Sequence, residues 1–260
     1  LHADHAGLIS TLIRPGCRAF MGALDARVMG IAFADLRKTI PLQEFAVRSG
    51  FPAEEVRKSL HNHPGNKYSG ERVVDYTPLE GGETFEVGGY RLEVVATPGH
   101  TNGHIALYER EKKLLFSGDH VLGDITPNIQ AWSDEHDPLA TYLSSLAKVD
   151  LLDVDLCLPG HRSLIGDCRK RIAELVEHHR LRANEAISIL TGERKTAYQT
   201  ASEMSWDIVA RSWEDFPIMQ RWFATGEAIA HLRYIERKGL VQRETVDGQV
   251  LYSCDGRTRL

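Results

Sequence analysis

The amino-acid sequence predicts a mixed α/β (α+β) fold followed by a smaller, mainly helical domain that ends in a two-stranded hairpin. Three observations predict it. Short apolar runs with period-two alternation sit between Gly- and Pro-containing turns in the first part of the chain. Amphipathic helical stretches lie between those runs. From about Cys168 the helical pattern takes over, until one last pair of strands.

Taken in order, helix is predicted from just after His5. Thr84-Phe85-Glu86-Val87 alternates as a half-buried strand does, Gly88-Gly89 turns the chain, and the strand Tyr90 to Val95 runs to a stop at Pro98-Gly99. His104 to Tyr108 and Leu114 to Ser117 repeat the scheme across a charged turn. Pro138 to Val149 reads as helix, and Asp155 to Leu158 as a short buried strand halted by Pro159-Gly160. "CRKRIAELVEHHRLRANEAISIL" is a long amphipathic helix with Ile172, Leu175, Val176 and His179 on one face. His178 and His179 read there as surface and interface residues, not ligands. "TAYQTASEM" and "TGEAIAHLRYIERKG" are helical, the second ending at Gly239. "LVQRETVDGQVLYS" is a hairpin turned at Asp247-Gly248. Helices closed by a hairpin make Thr191 to Leu260 winged-helix-like. The expected division is therefore 1–170 as one domain, and 171–260 as a helical linker with the winged-helix-like domain.

With 260 residues, 42% hydrophobic and 26% charged, the chain has the composition of a globular protein. A net charge of -5 argues against a surface given over to phosphate contacts. No apolar run approaches the roughly 18 residues that cross a bilayer, and no signal peptide is visible. Cys17, Cys157, Cys168 and Cys254 lack CxxC spacing, so reduced and mostly buried thiols are expected, in a cytoplasmic setting.

The reactive residue types fall at strand ends. His100 follows one strand in "TPGHTNGH", Asp119 another in "FSGDH", and His161 a third in "LPGH". His2, Asp4 and His5 crowd the start of the chain. Together they offer imidazole and carboxylate donors without thiolate, a set that suits zinc and also iron or manganese. Strand ends hold such side chains on rigid backbone, and glycine beside them permits close approach.

"HADHAG…TPGHTNGH…FSGDH…LPGH" resembles the metallo-β-lactamase-fold hydrolases, whose signature is HxHxDH followed by a distant His, Asp and His. The resemblance covers Leu1 to about Gly166 and implies an αββα sandwich with a dinuclear site between two sheets. It places the first signature histidine one position before Leu1, so an N-terminal segment carrying one ligand is expected ahead of it. His2 and His100 would then help hold one divalent ion and Asp4, His5 and His161 a second, with Asp119 bridging. Zinc is the leading metal, iron or manganese the alternatives. The implied chemistry is attack by an activated hydroxide, with Asp4 orienting the water or taking a proton.

Around this set, His104 and His120 are expected to support the ligands. "SLHNHPGNKY" reads as a loop whose His61, His63, Lys67 and Tyr68 are candidate substrate contacts, and Trp132 is a candidate pocket wall or core residue. The tail is similar to that of lactamase-β-2-like proteins, some of which are endoribonucleases. A small-molecule ester, thioester or lactone is the leading substrate. Single-stranded RNA is the rival partner, a diiron redox protein the rival chemistry, and homodimerisation an alternative role for the tail.

Overall fold

The computed structural model describes residues 2–32, 39–63 and 74–260. The chain forms two compact units, Leu1–Asp35, Tyr68–Pro127 and Ala140–Val176 in the first, Leu36–Lys67, Asn128–Leu139 and Glu177–Leu260 in the second.

In the first unit, the short helices α1 (Ala3–Ala6) and α2 (Ile9–Leu12) lead into strand β1 (Ala19–Gly22) and helix α3 (Ala23–Ala32). β1 pairs in parallel with β2 (Tyr76–Leu79), and α3 packs on both. A second sheet runs β3 (Thr84–Val87), β4 (Tyr90–Ala96), β5 (Ile105–Glu109), β6 (Leu114–Gly118), β7 (Leu156–Pro159). Its pairs are antiparallel except β6 with β7, which run parallel because helix α6 (Pro138–Asp150) makes the crossover. The five predicted strands and the crossover helix all appear, with ends shifted by no more than a residue or two. The facing sheets meet where Phe20 of β1 stacks on Phe85 of β3, ring centroids 5.5 Å apart. Val95, Ala106, Leu115 and Cys157, on successive strands, share one face of the sheet and are buried to 7% exposure or less.

The predicted long helix is α7, Cys168–Leu190, which runs from the first unit into the second. Ile172, Leu175 and His179 are buried on it as one face, but Val176 is 42% exposed. His179 is not a surface residue: it is 2% exposed, because a stripe wide enough to seat α7 takes in the position four after Leu175.

The second unit adds α4 (Thr39–Arg48), α5 (Ala53–Asn62), α8 (Ala197–Glu203), α9 (Ile218–Arg237) and the hairpin β8 (Gln242–Val246) with β9 (Gln249–Ser253). Thr196 caps α8 with a full capping box, its hydroxyl accepting from the Gln199 N–H while the Gln199 side chain accepts from the Thr196 N–H. The hairpin turns on Asp247 (φ 50°) and Gly248 (φ 80°), the paired positive angles of a tight two-residue turn. α9 is buried on most of its circumference and carries Trp222, which packs with Phe51, Ala46 and Val56. Residues 59–62, expected in a loop, complete α5 instead. Ser59 is fully buried beside Val56, so the helical face continues through them.

The four cysteines are free; Cys157 and Cys168 are buried, while Cys254 is half-buried and Cys17 exposed. No helix among the described residues is long and apolar enough to cross a membrane.

Candidate metal centre

The first unit brings together all six residues singled out as ligands. Donor atoms of Asp4, His5, Asp119 and His161 lie within 4.8 Å of one another, as do those of His2, His100 and Asp119. Asp119 belongs to both groups. It follows β6 directly, His161 comes two residues after β7, and His100 sits in the turn between β4 and β5. His2, Asp4 and His5 come from α1 and the residue before it.

Asp119 Oδ2 lies 2.9 Å from His5 Nε2 and 3.4 Å from His100 Nε2, and Oδ1 lies 3.5 Å from His161 Nε2. Asp4 Oδ2 is 3.1 Å from His161 Nε2 and 3.8 Å from His5 Nε2. His100 Nε2 and His2 Nδ1 face each other at 2.9 Å. Exposure grades across the set, from 7% for Asp119 to more than half for the Asp4 side chain.

The electrostatics follow from this packing. Burial alone would raise the Asp119 carboxyl. Hydrogen bonds from His100 and His5 outweigh it and hold the group far below the usual carboxylate range. His2 is lowered to about 4 by burial and by the neighbouring His100, so its ring is neutral at pH 7. His5 is raised by its hydrogen bond to Asp119.

Supporting groups fix these ligands. The Asp119 N–H donates to His104 Nε2 at 3.2 Å. That nitrogen must therefore be the bare one, and Nδ1–H donates to the Thr97 hydroxyl at 2.7 Å. His104, buried, is lowered well below the ordinary imidazole value, consistent with a neutral ring. The Gly160 N–H donates to the Gly118 carbonyl at 2.8 Å, tying the His161 turn to the Asp119 turn. The Tyr142 hydroxyl donates to the His120 carbonyl at 2.9 Å. Gly99 (φ 144°) lies so close to α6 that a Cβ there would fall 2.6 Å from Tyr142 Cα. Of the two histidines expected to support the ligands, His104 meets the Asp119 backbone, whereas the His120 bond to Tyr142 is through its carbonyl. Tyr142 and Thr97 carried no signal in the sequence.

The donor set fits divalent ions. It is imidazole and carboxylate alone, half of it shielded from water. Asp119 Oδ1 is buried and accepts no hydrogen bond, an orphaned acceptor of the kind a cation satisfies. Gly160 leaves the space open, since a Cβ there would sit 2.8 Å from Asp119 Oδ1 and 2.9 Å from His5 Cε1.

Comparison with known proteins settles the family. The metallo-β-lactamase superfamily profile matches residues 32–161, half of the 260-residue chain. The chain belongs to that superfamily. The profile of the metallo-β-lactamase-like C-terminal domain matches residues 194–254, so the tail is a recognised companion of this fold. A β-lactamase-like protein 2 homolog of Caenorhabditis elegans is 30% identical over 172 residues, 66% of this chain and 54% of its own. A lactamase-like protein of Neosartorya fischeri is 34% identical over 121 residues, covering 45% and 34% respectively. The chain thus spans about half the length of the first and about a third of the second. Among solved structures, a metallo-β-lactamase family protein of Thermus thermophilus superimposes with a TM-score of 0.75 at 28% identity, over 95% of this chain and 74% of that one. A β-lactamase domain protein of Burkholderia ambifaria gives 0.74 at 27% identity, over 97% and 71%. The fold is that of the superfamily, generally hydrolases that bind divalent metals.

The candidate substrate residues that the structure describes belong to the second unit. His61 is exposed on α5, and His63 packs edge-on to Phe223, ring centroids 5.9 Å apart. Trp132 stacks on Trp222 at 4.0 Å and donates its indole N–H to Gln130. Lys67 and Tyr68 lie outside the described residues.

Proposed function

We propose that the protein is a dinuclear metal-dependent hydrolase acting on a small ester, thioester or lactone. The observation that supports this most is Asp119, a buried carboxylate shared by two converging donor groups with one oxygen lacking any hydrogen bond. His2 and His100 would hold one ion, Asp4, His5 and His161 the other, and Asp119 both; zinc is the metal favoured by this donor set, with iron or manganese as alternatives. The ions, when bound, supply Lewis acidity and bring the pKa of water toward neutrality.

The chain's own groups define the rest. Asp119 stays ionised throughout the working pH range, so it serves as a permanent negative charge that offsets repulsion between two cations and not as a proton carrier. Asp4 is the exposed carboxylate of the set, with its Oδ2 close to His161, and is placed to orient a water or accept its proton. His2, lowered to about 4, offers a lone pair without first losing a proton at pH 7.

A second reading, cleavage of single-stranded RNA, is favoured by one observation in the second unit. The metallo-β-lactamase-like C-terminal domain matched at residues 194–254 resembles the tail of lactamase-β-2-like proteins, some of which are endoribonucleases. One experiment separates these readings. Purified protein is assayed for bound metals and tested on thioesters, esters, lactones and labelled single-stranded RNA, each beside Asp119→Ala. Thioester, ester or lactone turnover that disappears in the variant supports the leading reading. RNA cleavage that disappears in it reverses the ranking, and a preparation holding only iron with a redox-active optical spectrum replaces both.

A further inference from the structure

Asp25 is not one of the clustered ligands, and nothing in the sequence pattern marks it. It lies in the first turn of α3, immediately beyond β1, and is 4% exposed. Its Oδ2 accepts from the Thr101 hydroxyl at 2.5 Å, and its Oδ1 accepts from the Gly103 N–H at 2.9 Å. Thr101 and Gly103 are the residues just after His100 and just before His104. The fit is tight: a Cβ on Gly103 would stand 2.7 Å from Asp25 Oδ1, and one on Gly22 would run into the Gly103 carbonyl.

We propose that Asp25 is the positioning residue for His100, clamping the 100–104 turn so that the two histidines at its ends keep their separate tasks. His100 faces His2 and Asp119, and His104 accepts from the Asp119 N–H. Both depend on this turn, which also meets Thr97 through His104 and α6 through Gly99 and Tyr142. Burying a carboxylate is costly, and an apolar side chain would fill the same space at less cost. A carboxylate is suited to this position because it accepts two directed bonds on two oxygens, one from a side chain and one from the backbone, which fixes both position and rotation of the turn. Groups that orient a metal ligand in this way typically change affinity 10- to 100-fold when removed. The inference rests on the metal-dependent reading given above.

The test is a zinc competition titration against a chromophoric chelator on the full chain, for wild type, Asp25→Ala, Asp25→Asn, Thr101→Val and Thr101→Ser. Melting temperature, kcat and KM are recorded alongside. Asp25→Ala and Thr101→Val are expected to weaken one zinc equivalent by about 10- to 100-fold while the other stays within a few-fold, and to lower kcat more than they raise KM. Thr101→Ser restores affinity because it keeps the hydroxyl. Asp25→Asn loses least, since its amide oxygen accepts from the Gly103 N–H and its NH2 donates to the Thr101 hydroxyl instead. If Asp25→Ala does not fold, Thr101→Val decides. Folded Thr101→Val with wild-type affinity for both equivalents, whatever its melting temperature, overturns the inference. Wild-type protein with no zinc affinity overturns it together with the metal-dependent reading. Wild type that binds two zinc ions yet hydrolyses nothing in the panel sinks only the substrate assignment, and the affinity series still decides the role of Asp25.

Discussion

His2 and His100 face each other through ring nitrogens at 2.9 Å in the first unit, and His179 and His231 do so at 3.2 Å in the second. By sequence both pairs are merely histidines far apart in the chain. Their surroundings make them opposites. The first pair shares its space with Asp119 and opens partly to solvent. The second is buried between α7 and α9, 2% and 0% exposed. There the His231 Nδ1–H donates to the Glu227 carbonyl, so His231 Nε2 accepts from His179 Nδ1–H, an arrangement of two neutral rings. The neighbouring carboxylate, Glu227, is turned to Arg182. The two facing pairs thus differ in that a carboxylate converges on the first and is turned away from the second.

The sharpest way to break this contrast is to remove that carboxylate. Asp119→Ala is expected to lose both metals and all measurable turnover, a larger effect than the ~100-fold of a supporting group, while His231→Leu should leave metal content at the wild-type value. Metal analysis of the two purified variants checks this, and normal metal binding by Asp119→Ala would end the comparison.

Next in size is pH. Burial holds His231 down to about 3 and His179 down to about 2, both below the ordinary value near 6.5. Groups lowered in the folded state are neutral and contribute fully above pH 6.5. Their contribution is lost as pH falls, because the unfolded chain takes protons that the folded one refuses. His178 and Arg182, also near the pair, add to the opposition. The loss amounts to about 2 kcal/mol per ring between pH 6.5 and 5, seen as a falling melting temperature, and the slope should be roughly halved in His231→Leu.

Chelation comes third. If the first site binds ions as the native state does, stripping them should cost about 2.7 kcal/mol per ion at a free concentration one hundred times its dissociation constant. The matching fall in melting temperature should vanish in Asp119→Ala. Smallest is Thr97→Val, which deprives His104 Nδ1–H of its acceptor. It should cost about 1–3 kcal/mol and weaken metal binding by several-fold, measured by denaturation and by competition titration.

The contrast also shows what could be read from sequence. The strands β3 to β7 were legible because each has two-residue alternation and a Gly or Pro stop. The candidate cluster was legible because the stops fall beside His100, Asp119 and His161. The hairpin at Asp247-Gly248 was legible for a similar local reason. β1 and β2 were not, since Ala19–Gly22 and Tyr76–Leu79 are four residues each, and Pro78 interrupts the second. Asp25 and Tyr142 escaped because their partners, Thr101 and His120, lie 76 and 22 residues away in sequence.

The second unit is stitched from three separate stretches, and Trp222 of the tail lies against Phe51 and Trp132, one from each of the other two. The tail therefore cannot be treated as a detachable cassette. A protein cut at the start of the tail would leave two aromatic rings without their cover, and a tail grafted onto another scaffold would arrive without the residues that bury its central indole. Exchange between relatives must move all three stretches together.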